Sequence, residues 1–280
     1  MSDAWVITVL VENSVHRAGL QAEHGLAVHL QAGDRAVLFD TGQTGLVLRN
    51  AAALGIGWDG LDAIVLSHGH YDHTGGLEAL HAAAPHARRF LHPAALAPKF
   101  SRGPDGAGRY IGMPRPAAQA LVNDPAVTWT PSPVEVIPGL FLTGAIPRNT
   151  GFEDTGGDFF LDPACTRPDP LEDDQALFFD TPQGLVILLG CGHSGVVNTV
   201  EHIRSLTGRR PIHTLLGGLH LLRASAERMR RTLAAFHDWQ PRQIAAGHCT
   251  GLPALARLGS EFPTRCLPCA VGTRLTVPAP

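Results

Sequence analysis

A cluster of histidine and carboxylate side chains directly after an apolar run constrains this chain more than any other feature. Residues 67–76 read Ser-His-Gly-His-Tyr-Asp-His-Thr-Gly-Gly, and the apolar run 63–66 before them is typical of a buried strand. Within six positions the stretch holds three imidazoles and one carboxylate, those of His68, His70, Asp72 and His73. A loop at the end of a strand can direct several side chains at one point. Because neutral imidazole and carboxylate bind Zn²⁺, Fe and Mn, this spacing predicts a metal site.

The pattern His-x-His-x-Asp-His after an apolar strand resembles the metallo-β-lactamase superfamily, whose members usually hold two metals in an αββα sandwich. Residues 37–42, Val-Leu-Phe-Asp-Thr-Gly, are similar to the strand and turn that the superfamily places upstream. Segments 190–195, 217–221 and 247–251 resemble one subgroup, the 7,8-dihydropterin-6-methyl-4-(β-D-ribofuranosyl)aminobenzene-5'-phosphate synthase-like proteins and metal-dependent hydrolases. The resemblance extends over most of residues 5–275. It implies an α/β (α+β) chain folded as a four-layer αββα sandwich around two divalent metal ions, with zinc favoured and iron or manganese as alternatives.

Two metals divide the candidate ligands into two sets. His68 and His70 lie two apart, so in extended geometry they point the same way and are expected to bind the first metal. Asp72 and His73 are expected to bind the second metal.

Each metal needs a further ligand from elsewhere in the chain. His193 and His248 each end an apolar strand beside a glycine, as the first motif does. We expect His193 to complete the first metal site and His248 the second.

The chain departs from the superfamily at the bridging carboxylate, because Gly190-Cys191 stands where many members have Gly-Asp. The nearest preceding carboxylate, Asp180, lies in Asp-Thr-Pro-Gln-Gly, which is typical of a hairpin turn. Cys191 either bridges as a thiolate, which would favour Zn²⁺, or is a buried inert thiol while a hydroxide bridges. Residues 144–148, where another ligand is usual, contain no histidine.

Other residues are candidates for supporting roles. His220, in Gly-Gly-Leu-His-Leu, could be a ligand or proton donor, and we favour stabilisation of the substrate or an intermediate. Asp40 is expected to accept an imidazole N–H behind the His loop, which would fix the ring's tautomer and orientation. Arg148 is a candidate anion clamp, with a surface salt bridge as the alternative. His24 and His16 are weaker candidates.

Composition limits the partners. The 280 residues carry a net charge of −3, which gives no reason to propose nucleic acid or an anionic membrane as a partner. No apolar run approaches the ~18 residues of a membrane helix, and the start lacks the features of a secretory signal. Five cysteines are an odd number for a disulfide framework. We therefore expect a cytoplasmic protein that acts on a small molecule, and a homo-oligomer is compatible with this.

Hydrophobic periodicity predicts strands alternating with helices in two halves. The predicted strands are 5–11, 25–30, 36–39, 64–66, 135–137, 140–143, 176–179, 185–189, 212–216 and 244–246. The predicted helices are 46–54, 76–84, a helix behind a Ser194 N-cap closed by Gly208, and 225–237. We expect one domain over 1–280. Residues 93–175, rich in Pro, Gly and Asp, form an irregular insertion that is expected to supply a lid or substrate loops.

The predicted reaction is hydrolysis of an ester, lactone, amide or phosphodiester by a metal-bound hydroxide. Asp72 would orient the nucleophile and carry a proton. The subgroup resemblance implies an alternative, condensation of a reduced pterin with an aminobenzene ribofuranosyl phosphate and loss of pyrophosphate. A further alternative is an iron-containing redox member of the superfamily.

Overall fold

The computed structural model describes residues 4–278. The strands are β1 (Trp5–Val11), β2 (Ala27–Ala32), β3 (Arg35–Phe39), β4 (Leu61–Val65), β5 (Arg88–Leu91), β6 (Phe100–Arg102), β7 (Gly108–Tyr110), β8 (Val127–Trp129), β9 (Val134–Ile137), β10 (Leu140–Leu142), β11 (Phe159–Phe160), β12 (Ala176–Thr181), β13 (Gly184–Leu189), β14 (Ile212–Gly218), β15 (Gln243–Gly247) and β16 (Arg274–Val277). The helices are α1 (Leu46–Ala53), α2 (Tyr71–Thr74), α3 (Leu77–Ala83), α4 (Arg115–Val122), α5 (Val196–Leu206), α6 (Ala226–Trp239) and α7 (Leu252–Glu261). Short 3₁₀ turns occupy Pro93–Leu96 and His248–Thr250.

Two large sheets face each other. The first has seven strands in the order β16-β1-β2-β3-β4-β5-β8, and the second has six in the order β15-β14-β13-β12-β10-β9. A small third sheet, β11-β6-β7, joins two distant parts of the segment 93–175.

The alternation of side chains along the strands builds four layers. In β3, Val37 and Phe39 face the core between the sheets, whereas Leu38 packs with α1 and α3 on the outer face. In β13, Val186 and Leu188 point inward, and the alternate side chains pack with α5, α6 and α7. The expected αββα sandwich is therefore confirmed.

Strand direction determines where the site lies. β3, β4 and β5 run parallel in the first sheet, and β13, β14 and β15 run parallel in the second. Parallel strands end at a common edge, and in open α/β sheets ligands bind at that carboxyl edge. The loops after β3, β4, β13, β14 and β15 carry all the histidines predicted to bind metal, together with Asp40 and Cys191.

Two sequence-based expectations were wrong in detail. The segment 93–175 holds α4 and six short strands, of which only β9 and β10 were predicted, so it is less irregular than expected. These strands have two to four residues each and β6 pairs with β11, which is nearly sixty residues away. Local periodicity carries little signal for such short strands and distant pairings.

The second error concerns the start of α5. Ser194 was expected to be its N-cap, but the N-cap is Gly195 and makes no side-chain bond. The carboxylate of Glu153 instead accepts the backbone N–H groups of Val197 and Asn198, at 2.9 and 2.8 Å. A residue distant in sequence therefore caps this helix.

Among residues 4–278, no helix is both long enough and apolar enough to cross a membrane.

Candidate metal centre

Three of the predicted ligands meet in a first group. Nδ1 of His70 lies 2.9 Å from Nε2 of His68 and 3.2 Å from Nε2 of His193. All three rings are buried. The structure thus brings His193, from the loop after β13, to the two histidines of the loop after β4, and the three ligand atoms converge on one point.

The remaining predicted ligands form a second group beside the first. Nε2 of His73 and Nε2 of His248 are 3.1 Å apart. Oδ2 of Asp72 lies 3.4 Å from the His248 nitrogen and 3.7 Å from the His73 nitrogen. This group also combines a ligand from each sheet, since His248 follows β15.

Cys191 lies between the two groups. Its Sγ is 3.2 Å from Nε2 of both His73 and His248. The same sulfur is also within 4.8 Å of candidate ligand atoms on His68 and on His193. The sulfur of Cys191 therefore contacts the second group and lies within reach of the first.

Buried acceptors behind the rings orient two of the histidines. Asp40 Oδ2 lies 2.6 Å from Nδ1 of His73, and Asp40 also accepts the Ser67 hydroxyl and backbone N–H at 2.7 Å. The Ser67 hydroxyl in turn lies 2.9 Å from Nδ1 of His68. The expected placement of Asp40 behind the His loop is what the structure has. A proton held on Nδ1 of His73 leaves its Nε2 free toward the centre.

Hydrogen-bond acceptors also lie behind the rings of His193 and His248. Nδ1 of His193 lies 2.8 Å from the Thr155 carbonyl oxygen, and Nδ1 of His248 lies 3.1 Å from Asn13 Oδ1. The backbone N–H of His248 also donates to Glu12 at 2.6 Å. Each ring is therefore held with Nε2 toward the centre, whereas His70 presents Nδ1.

The backbone at the site is tight. A side chain at Gly190 would collide with Ser67 Oγ and would lie 3.0 Å from Asp40 Oδ2, so only glycine permits this approach of the two sheets. Asp40, His220 and His248 adopt positive φ angles of 59°, 47° and 52°. Non-glycine residues rarely adopt this conformation, and such strain concentrates at functional sites.

Burial and charge determine the protonation of the two groups. Burial lowers the pKa of His70 to about 3 and of His248 to about 4, so both imidazoles are neutral, as metal ligands must be. Burial opposes protonation of His73 as well, but the carboxylates of Asp40 and Asp72 outweigh it and raise its pKa to about 9. The surrounding imidazoles hold the pKa of Asp72 well below its ordinary value despite its burial.

The donor set fits metal ions. The possible ligand atoms form overlapping groups at the edge of the two sheets, and they belong to seven imidazoles, one carboxylate and two thiols: His24, His68, His70, His73, His193, His220, His248, Asp72, Cys191 and Cys249. In the first group, Nδ1 of His70 faces Nε2 of both His68 and His193, whose Nδ1 atoms contact Ser67 and Thr155, so one proton on His70 cannot satisfy both neighbouring nitrogens. A bound cation would instead accept lone pairs from all three nitrogens at once.

The centre lies in a cavity of about 520 Å³. His220 is in its wall, with its ring centroid 4.3 Å from that of His193. The segment 93–175 contributes a large part of the wall, including Ser101, Ile111 and Phe159.

Arg148 requires a correction, because the structure does not place it in the cavity wall. Its guanidinium donates to the carbonyl oxygens of His193 at 2.7 Å and of Pro170 at 2.8 Å. It holds the His193 loop in place instead of facing the cavity. The arginines in the wall are Arg102, Arg109 and Arg223, which the sequence analysis did not single out.

Sequence reasoning also missed part of the support for the first motif. The buried ammonium of Lys99 pairs with Asp173 at 2.8 Å and with Asp169 at 2.9 Å. Asp173 accepts the backbone N–H of Gly69, between His68 and His70, at 2.7 Å. The one available signal was that Lys99 is the only lysine of the chain.

His24, a weaker candidate from the sequence, contacts a predicted metal ligand. Its Nε2 lies 3.1 Å from Asp72 Oδ2, and about half of its side chain, 53%, is exposed. It connects the second group to solvent.

Comparison with known proteins agrees with this architecture. The family model described as "Metallo-beta-lactamase superfamily" matches residues 22–202. An uncharacterized protein of Methanocaldococcus jannaschii is 30% identical over 254 residues, covering 90% of this chain and 93% of that protein. The 7,8-dihydropterin-6-methyl-4-(beta-D-ribofuranosyl)-aminobenzene-5'-phosphate synthase of the same organism is 28% identical over 92% of this chain and 91% of its own length. The solved structure of Tm1679, described as a metal-dependent hydrolase of the beta-lactamase superfamily, matches with a TM-score of 0.83 and 31% identity over 98% of this chain and 100% of that one.

Proposed function

The chain belongs to the metallo-beta-lactamase superfamily, and we propose that it is a metal-dependent hydrolase of a small molecule with an ester, lactone or phosphodiester bond. One observation carries the proposal. Two adjacent groups of ligand atoms, His68–His70–His193 and Asp72–His73–His248, lie beside one cavity, and the sulfur of Cys191 is within reach of both. We propose two divalent ions there. Zinc is favoured because a thiolate ligand suits it.

Divalent ions held by these residues would lower the pKa of a water to near neutrality and polarise the bond under attack. The chain itself supplies the proton transfer. Asp72 Oδ2 points at the centre and contacts His24, whose ring reaches solvent. We propose that Asp72 orients the attacking water and that His24 passes its proton outward. We propose that His220, which lies in the cavity wall with its ring centroid 4.3 Å from that of His193, donates a hydrogen bond to the substrate.

Similarity supports the reaction class. The structure with a TM-score of 0.83 is described as a metal-dependent hydrolase, and its similarity extends over nearly the whole chain. A structural match at 31% sequence identity does not identify the substrate, because proteins with the same fold catalyse many different reactions.

Turnover of chromogenic substrates tests the proposal. The zinc-loaded protein is expected to hydrolyse bis(p-nitrophenyl) phosphate or a p-nitrophenyl ester, and Asp72→Ala is expected to lower kcat by at least about a hundredfold. Asp180→Ala is the matched control, because Asp180 pairs with Arg210 on the surface hairpin, away from the cavity. Absence of turnover in the wild type, or equal loss in both variants, would contradict the proposal.

A second candidate is condensation of a reduced pterin with an aminobenzene ribofuranosyl phosphate. The observation in its favour is the 28% identity to a protein named as that synthase, over 92% of this chain. This reading predicts saturable binding of a reduced pterin, release of pyrophosphate from its pyrophosphate ester, and no turnover of p-nitrophenyl substrates. Fluorescence titration with the pterin, run beside the hydrolysis assay, separates the two functions.

A further inference from the structure

Three arginine side chains converge at the mouth of the cavity. Arg102 ends β6, Arg109 lies in β7, and Arg223 lies in the loop between β14 and α6. They line an outer compartment of about 480 Å³, and all three also line the inner cavity that holds the histidines. The compartment and the centre are therefore two ends of one continuous space.

These three arginines make no ion pair with any residue between 4 and 278. Salt bridges in the described part of the chain involve other arginines, and none joins Arg102, Arg109 or Arg223 to a carboxylate. Among residues 4–278, Asp158 is the only carboxylate in the wall of the outer compartment. Three guanidinium groups and one carboxylate thus give the compartment a net positive charge in a chain whose total charge is −3.

Arg102 is held in place by its surroundings. Its guanidinium donates to the Cys165 carbonyl oxygen at 3.1 Å and lies over the Phe160 ring, 4.7 Å from the centroid. This fixes its orientation before any ligand arrives, so less side-chain entropy is lost on binding. Arg109 and Arg223 are exposed and make no side-chain hydrogen bond in the described structure. Their donors are available to a ligand.

We propose that this outer compartment binds a phosphate group of the substrate. Guanidinium groups bind phosphate oxygens in pairs, and the net charge of the compartment matches a phosphate dianion better than a monoanionic carboxylate. The inference rests on the proposed function and narrows it to small phosphorylated substrates. Their phosphate is held by Arg102, Arg109 and Arg223 while the bond to be cleaved reaches the histidine centre.

Calorimetric titration with phenylphosphonate, a non-hydrolysable phosphate analogue, tests the subsite on the protein as purified. At low ionic strength the double variant Arg109→Ala/Arg223→Ala is expected to bind it at least about tenfold more weakly than the wild type, since two charge-assisted contacts are lost. Binding to the wild type should weaken as salt is raised, because the site is open to solvent. Benzoate, of similar size with a single charge, should bind about tenfold more weakly than phenylphosphonate.

Two further variants control for the loss of charge and for unfolding of the alanine variant. Arg17→Ala/Arg49→Ala removes the same charge from exposed positions outside the cavity wall and should stay within twofold of the wild type. If circular dichroism shows that the alanine double variant is unfolded, Arg109→Lys/Arg223→Lys replaces it. The lysine pair is expected to bind about threefold more weakly than the wild type, because lysine keeps the charge but not the paired donors.

The proposal is overturned if the folded variant at positions 109 and 223 binds phenylphosphonate within twofold of the wild type. Equal affinity for benzoate would also overturn the assignment to phosphate. The hydrolysis assay separates this result from the proposed function. Arginine-dependent binding without turnover would leave the anion subsite and remove the hydrolase, whereas turnover that needs Asp72, with arginine-independent binding, would remove the subsite alone.

Discussion

Asp40 and His73 form a fully buried pair in which Oδ2 of the carboxylate lies 2.6 Å from Nδ1 of the imidazole. The carboxylate comes from the end of β3, and the histidine lies in α2, the short helix that follows β4. Two neighbouring parallel strands thus end in a supporting acceptor and a candidate ligand. The pair fixes which nitrogen of His73 carries the proton, and so which one faces the centre.

Asp40→Asn is expected to weaken metal binding by about 10–100-fold, because an amide cannot accept from His73 and from both donors of Ser67 at once. Competition with a chromogenic chelator measures the affinity. Asp62→Asn is the control, because Asp62 also accepts a backbone N–H and a side chain but lies at the start of β4. Unchanged affinity in Asp40→Asn would show that the pair does not support the metal.

Cys191→Ser is expected to lower the zinc content of the purified protein from about two ions per chain toward one, because the sulfur contacts both imidazoles of the second group. Mass spectrometry of the metals measures this. Cys266→Ser, at a half-buried position outside the cavity wall, should keep the wild-type content. Two metals in both variants would make Cys191 a structural thiol, and substantial iron would favour the redox alternative.

Asp174 is expected to make stability depend on pH. Burial raises its pKa from 3.8 to about 6, even though Ser194 donates a hydrogen bond to it. The folded state therefore binds this proton more tightly than the unfolded chain, and the stability it contributes is complete below about pH 4 and lost as the pH rises through about 6.

Asp174→Asn removes this loss. The free energy of unfolding of the variant, relative to the wild type, should rise by about 2–3 kcal/mol between pH 4 and pH 7 in urea titrations. Asp59→Asn, at an exposed position, should show no such rise. A constant difference between Asp174→Asn and the wild type over this range would be inconsistent with a raised pKa.

Gly156→Ala is expected to lower activity strongly, because the new methyl group would collide with the imidazole of His220. Gly156 also has a φ of 84°, so backbone strain must be separated from the collision. Gly106→Ala is the matched control, since Gly106 has a φ of 82° and open space around it. Comparable stability of the two variants in urea, with kcat lost only in Gly156→Ala, would assign the effect to His220. Equal activity of both would mean that His220 has no role.

Many strands and helices of the fold could be predicted because apolar residues recur along them with the period of a strand or a helix. The strand at 5–11 was predicted with its observed bounds, and the helices at 46–53 and 226–239 agree with prediction to within two residues. β16 and the third sheet were missed. β16 pairs with β1 from the far end of the chain, so its partner is invisible to a local pattern.

The candidate ligands were chosen from sequence because strand ends beside glycine have a recognisable pattern. Sequence spacing assigns only the four residues of the first motif, 68, 70, 72 and 73, to the two groups. Assigning His193 to one group and His248 to the other requires the second sheet to lie against the first, and the structure has that arrangement.

The sequence did not predict which arginines line the cavity. Arg148, beside a proline in a loop, was chosen as an anion clamp, yet it donates to two carbonyl oxygens outside the cavity wall. Arg102, Arg109 and Arg223 lie in unremarkable stretches and meet only because β6, β7 and the loop after β14 are adjacent in space. Charge alone does not tell whether a side chain is paired.

The sequence by itself determined the alternation of strands and helices and the kinds of atom the site contains, and its resemblance to a known superfamily implied the sandwich. Strand periodicity and the chemistry of imidazole, carboxylate and thiolate are properties of single residues and short segments. The tertiary structure decided which acceptors stand behind each imidazole, that Cys191 lies between two groups, and which arginines face the cavity. These are contacts between residues tens to hundreds of positions apart, and they depend on how the two sheets pack.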